Sequence, residues 1–131
     1  MNTAGSVLLD TSVVVAYFRG EGALRSRFVQ AAALHLPWVV LGELHYGARR
    51  THRRQEQLSF IQELLTYASV VFPDQSTTEH YGQMKAELAE MGKPIPDNDL
   101  WIAALAREHD LPVATRDAHF NAVPGLRVMK W

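Results

Sequence analysis

The sequence contains no cysteine. That removes disulfide frameworks and thiolate metal sites at once. It has no excess of either charge: 13 Lys and Arg stand against 14 Asp and Glu, for a formal net charge of -1. A uniformly basic nucleic-acid coat is excluded, although a local Arg patch remains compatible with phosphate contacts. No apolar run approaches the roughly 18 residues of a membrane span. The N-terminus lacks the basic and long apolar segments of a secretory signal. No repeat, low-complexity tract or Pro/Gly/Ser linker divides the chain. These absences lead to the expectation of a soluble cytoplasmic protein without membrane association, one domain over residues 1–131. That length suffices to bury a core.

What is present is an alternation of strand and helix patterns. "SVLLD" reads as a short buried strand and "TSVVVAYFRG" as a helix, despite the β-branched run Val13–Val15. "ALRSRFVQAA", "WVVLGELHYGARR", "RRQEQLSFIQELLTYA", "STTEHYGQMKAELAEMGK" and "DNDLWIAALAREHD" read as helices, the fourth with a capping-box spacing at Ser76 and Glu79. "LHLP", "SVVF", "LPVAT" and "LRVMKW" read as strands. Strands separated by helices predict an α/β fold with a parallel sheet of four to five short strands and helices on both faces.

Asp10 interrupts the apolar run "SVLLDTSVVVAYF". A lone carboxylate there would be costly to desolvate. In a parallel sheet the strand C-termini and the following helix N-termini share one edge, where ligands bind. Asp10 and Asp117 follow strands, Asp99 opens the helix before the last of these, and Glu43 reaches back from the helix after "LHLP". Glu43 shares a helical face with Val39, Val40, Tyr46 and Gly47. Asp99 lies on the face of Ile102, Ala103 and Ala106, whereas Asp97 lies off it and suits the N-cap. Any one of these acids has a bland explanation, since Asp10 or Asp117 can cap a helix and Glu43 can ion-pair. Four converging carboxylates repel one another, and a divalent cation resolves the conflict. All-oxygen ligation suits Mg²⁺, with Mn²⁺ as the alternative, and disfavours zinc. Thr11, Ser12, Asn98 and Thr115 stand beside the acids as orienting groups. The chemistry that follows is metal-assisted hydrolysis of a phosphodiester.

The motifs "LLDTSVVVAYF", "LGELHYGA", "IPDNDLWIAALA", "LPVATRDAHF" and "GLRVMKW" span nearly the whole chain. In order and spacing they resemble PIN-domain ribonucleases of the VapC toxin family. The resemblance implies a PIN-like three-layer fold and makes Asp10, Glu43, Asp99 and Asp117 the acidic cluster. Asp10 and Asp99 are then the residues most directly tied to the metal, with Glu43 and Asp117 acting directly or through water. Thr115 matches a supporting hydroxyl, and Ser12 stands where the family often has Asn. The resemblance also implies a Mg²⁺-dependent endoribonuclease that leaves a 5′-phosphate and a 3′-hydroxyl, a homodimer, and a VapB-type antitoxin that blocks the site. An RNA-processing PIN nuclease without an antitoxin and a non-catalytic PIN scaffold are the alternatives. A phosphoacceptor receiver domain and a haloacid-dehalogenase phosphatase fit poorly, since position 12 is Ser and Lys93 lies between helices.

Outside the acids, Arg49, Arg50, Arg53 and Arg54 in "ARRTHRR" suit either a solvated helix junction or RNA phosphate contacts. Arg116 is the sharper RNA candidate because it adjoins Asp117. A single-stranded loop of a structured RNA is the expected substrate form. His45 and His119 are assigned structural roles, and Trp38, Trp101 and Trp131 core or interface positions. The helices spanning 53–68 and 76–92 suit either a clamp-like groove for an antitoxin helix or the core, which requires the same apolar faces.

Overall fold

Four consecutive apolar or small residues with no polar alternation make a strand buried on both faces. Ser6–Leu9 (β1) is such a strand, and every residue of it is buried. The computed structural model describes residues 5–131. After β1 come helices Thr11–Phe18 (α1) and Gly22–Gln30 (α2), strand Ala33–Pro37 (β2), and helices Trp38–Arg50 (α3) and Arg54–Leu64 (α4). Strand Ala68–Val71 (β3), helices Gln75–Glu90 (α5) and Asp97–His109 (α6) and strand Val113–Thr115 (β4) follow. A 3₁₀ turn over Ala118–Ala122 leads to strand Val128–Lys130 (β5).

The five strands form one sheet in the order β3-β2-β1-β4-β5. Every pairing is parallel, with Leu8 opposite His35 on one side and Val113 on the other. Connections leaving β1 run toward β2 and β3, whereas the chain leaving β4 runs the opposite way to β5. The reversal opens a crevice between the C-termini of β1 and β4, the place where open α/β sheets bind ligands. The six α-helices of the described residues flank the sheet.

The core is continuous. Leu8, Leu9, Val13, Val14, Leu36, Ile102, Leu105 and Phe120 are fully buried. Val13–Val15 lie within α1, so tertiary burial overrides their β preference. The helix α6 is buried from Ile102 to Ala106, more completely than a one-sided amphipathic helix.

Two local expectations are corrected. The capping box of α5 uses Asp74 and Thr77, not Ser76 and Glu79: Thr77 N donates to Asp74 Oδ1 at 3.1 Å and Asp74 N donates to Thr77 Oγ1 at 3.0 Å. The chain leaves β3 early enough for the helix to start one residue before Ser76. Asp97 is the first helical residue of α6, and Pro96 takes the N-cap. The Asp97 carboxylate instead accepts from Tyr81 Oη at 2.9 Å and Lys85 Nζ at 3.2 Å. Of the two helices weighed for a groove, α4 packs on α3 and α5 packs on α6.

Candidate active site

Asp10 ends β1 and precedes α1, yet its side chain makes no cap hydrogen bond to the helix. Its Oδ2 accepts from Thr115 Oγ1 at 2.7 Å and from Ser12 Oγ at 2.8 Å. Asp10 is only 5% exposed. Its backbone N–H donates to Ala114 O at 3.0 Å, so the pairing of β1 with β4 fixes the carboxylate at the crevice. The capping explanation for Asp10 therefore fails. Asp117, by contrast, does cap: its Oδ1 accepts from His119 N at 2.9 Å and opens the 3₁₀ turn. Thr115 Oγ1 also accepts from Asp117 N at 2.9 Å, so one hydroxyl positions two acids.

Glu43 reaches the same crevice from the second turn of α3. The buried line of that helix is Val40, Leu44 and Ala48, with Glu43 on its flank, while Tyr46 points into solvent at 64% exposure. Tyr46 therefore does not share the inward face expected for it. Thr11 Oγ1 donates to Glu43 Oε2 at 3.1 Å and Asn98 Nδ2 donates to Oε1 at 3.3 Å. Burial holds the Glu43 carboxyl above the ordinary carboxylate range against these two hydrogen bonds, and the charges of Asp10 and Asp99 push the same way. Asp99, in the first turn of α6, is raised for the same leading reason, burial, with Asp10 and Asp117 adding repulsion. The four acids predicted from the sequence thus act on one another at a single sheet edge, joined by Thr11, Ser12, Asn98 and Thr115.

Among the described residues, no Lys or Arg lies within ion-pairing distance of these acids. The basic partner present is a residue to which the sequence assigns a structural role. His119 Nδ1 lies 2.9 Å from Asp99 Oδ2 and 3.1 Å from Asp117 Oδ1. Its pKa is raised, first by the hydrogen bond to Asp99 and then by the charge of Asp117. The available signal was the spacing Asp117-x-His119: a residue two positions after a turn-capping acid returns to that acid's side.

The acid-rich, cation-poor donor set fits a divalent metal, since crowded carboxylates with raised pKa values are what a bound cation relieves. Oxygen donors from Asp10, Glu43, Asp99 and Asp117 suit a hard ion.

The arginine candidates separate. Arg116 is bidentate on Glu21, at 2.9 and 3.1 Å, and its Nε donates to Trp131 O at 2.8 Å. A phosphate at Arg116 would compete with that clip. Arg50 lies over the Tyr46 ring and Arg54 donates to Arg49 O. Arg53 lines a cleft of about 550 Å³ that begins at Thr11 and Glu43 and runs past Arg19, Glu56 and Phe60. Trp101 stacks on Tyr81 with centroids 4.0 Å apart and meets Trp38 edge-on at 5.6 Å. Trp131 packs near Phe28 at 5.9 Å. No helix among the described residues is long and apolar enough to cross a membrane.

The family model described as "PIN domain" matches residues 7–126. A tRNA(fMet)-specific endonuclease VapC of Shigella flexneri is 32% identical over 127 residues, which cover 95% of this chain and 96% of that protein. Ribonuclease VapC2 of Haemophilus influenzae is 30% identical over the same shares. In solved structures, the chain aligns with DNA-bound VapBC from Salmonella typhimurium at a TM-score of 0.90 and 28% identity, covering 96% of this chain and 98% of that one.

Proposed function

The chain belongs to the PIN-domain family, and from that premise we propose that it is a VapC-type endoribonuclease, the toxin of a toxin–antitoxin pair. The curated relatives are ribonucleases and tRNA-specific endonucleases named VapC, and the solved relative is a VapBC complex. The substrate class is a structured RNA such as tRNA, cut in a single-stranded segment, and the partners are a VapB-type antitoxin and a second copy of the chain. The metal is Mg²⁺, with Mn²⁺ as a substitute.

One observation carries the reading. Asp10 is buried, declines the helix cap beside it, and meets three other acids without an Arg or Lys partner. A structural role would leave the repulsion between Asp10 and Glu43, which His119 does not reach, without a positive partner. Asp10 and Asp99 are assigned as the direct metal ligands, and Glu43 and Asp117 as direct or water-mediated ones. Bound there, a divalent cation activates water and neutralises charge on the phosphodiester. Glu43 would stand at the edge of this acid set, where it can hold the metal directly or through water. Thr11 and Asn98 fix the orientation of its two oxygens. Arg53, in the adjoining cleft, is placed to meet RNA phosphates.

The test is cleavage of total RNA by the purified chain. Cutting is expected with Mg²⁺ or Mn²⁺ and none in EDTA or in folded Asp10→Asn. A folded, metal-loaded protein that leaves every RNA intact, or an Asp10→Asn variant of full activity, overturns the reading. Sequencing of RNA ends from induced cells identifies the target.

A further inference from the structure

The four acids supply oxygen alone, yet the crevice also holds a nitrogen donor. One ligand atom each from Asp99, Asp117 and His119 lies within 4.8 Å of the other two. The imidazole Nδ1 is 2.9 Å from Asp99 Oδ2 and 3.1 Å from Asp117 Oδ1. Adjacent ligands on an octahedral ion with bonds of about 2.1 Å stand roughly 3 Å apart, so these separations match a ligand face.

The three groups are also held in place. Asp117 is fixed by the turn it caps and by Thr115 Oγ1. His119 is fixed by Phe120, which is completely buried and leaves its neighbour facing the acids. Asp99 is fixed by α6, where Leu100 and Ile102 are buried. Such preorganisation is what a metal site needs, because the ion then orders few groups on binding.

We propose that His119 is a metal-ligating residue, and that Asp99, Asp117 and His119 form a mixed oxygen–nitrogen cation position that prefers Mn²⁺ to Mg²⁺. The proposal rests on the nuclease reading above for the presence of a metal, and adds a ligand that the acidic cluster does not contain. Mg²⁺ takes oxygen donors and dehydrates reluctantly, whereas an imidazole nitrogen favours later first-row ions. The Asp10 and Glu43 side of the crevice remains all-oxygen and shows no such preference.

The experiment is pulsed electron paramagnetic resonance of Mn²⁺ bound to the full chain with ¹⁵N-labelled histidine. A directly bonded imidazole couples its nitrogen to the Mn²⁺ spin, and a hydrogen-bonded imidazole outside the ligand sphere does not. The coupling is expected in the native protein and in His45→Ala, which alters an exposed histidine. It is expected to vanish in His119→Ala. Competition titrations should show the Mn²⁺ over Mg²⁺ preference falling about tenfold in His119→Ala. His119→Asp, an all-oxygen set, should bind both ions without the nitrogen signal and without the Mn²⁺ preference. Bound Mn²⁺ without histidine coupling, or an unchanged preference in His119→Ala, overturns the proposal while the nuclease reading stands. A chain that binds neither ion overturns both.

Discussion

Thr115 Oγ1 donates to Asp10 Oδ2 at 2.7 Å, across a sequence separation of 105 residues. The bond ties the ends of two adjacent parallel strands and holds a buried carboxylate at the only edge where the other acids arrive. Thr115→Val keeps the shape and removes the donor. The expected loss of stability is about 1 kcal/mol. The affinity for Mg²⁺ should fall roughly tenfold through lost orientation of Asp10. Denaturant melts and calorimetric titration read the two effects separately.

Asp99→Asn removes one of the crowded charges. It is expected to abolish RNA cleavage, with turnover falling by at least about a hundredfold if the metal is lost. In metal-free buffer the same variant should melt a few degrees higher, because burial and the charges of Asp10 and Asp117 disfavour the ionised native group. A variant that is both inactive and less stable in EDTA would argue that Asp99 is structural.

The crevice groups should add stability to the metal-free protein on acidification. Glu43 and Asp99 have raised pKa values in the fold, so between their unfolded and folded values the native state binds more protons than the unfolded chain. His119 is also raised, and its stabilising contribution is full below its unfolded pKa and lost as pH climbs through the folded one. All three act in the same direction. Glu21, Asp74 and Asp97, whose pKa values are lowered, act oppositely as pH falls through the lower carboxylate range, and His35, lowered chiefly by burial, opposes His119 in the histidine range. Saturating Mg²⁺ should flatten the dependence, as thermal melts with and without EDTA will show.

Arg53→Ala should weaken RNA binding and reduce the slope of log affinity against log salt by about one. Arg50→Ala should change neither, since its guanidinium lies over Tyr46 rather than in the cleft. Arg116→Ala and Glu21→Ala should behave as one unit. The double variant should be about as stable as Arg116→Ala alone, because Glu21 loses its partner in both, while Arg116 also donates to Trp131 O.

Much of the fold was legible because its signals are local. The strand and helix patterns of "SVLLD" and "WVVLGELHYGARR" predict β1 and α3 to within a residue or two. The parallel edge rule brought Asp10, Glu43, Asp99 and Asp117 together before any coordinates. The misplacements have two causes. Asp74 displaces Ser76 as a cap through an equally local pair with Thr77, whereas Asp97 turns to Tyr81 and Lys85 because a neighbouring element offers a partner that the local pattern does not display. His119 was undervalued for the second reason: its meaning depends on Asp99, twenty residues away and on another element.

The sheet order has a consequence in time. Asp10 lies at the centre of the sheet, but Asp99, Thr115 and Asp117 come from the last third of the chain. A ribosome moving from the N-terminus delivers the core of the sheet long before the residues that complete the crevice. An unfinished chain carries Asp10 and Glu43 without the rest of the acid set. On the nuclease reading, the acid set stays incomplete until Asp117, beyond β4, has left the ribosome, so a chain ended before that residue should cut no RNA.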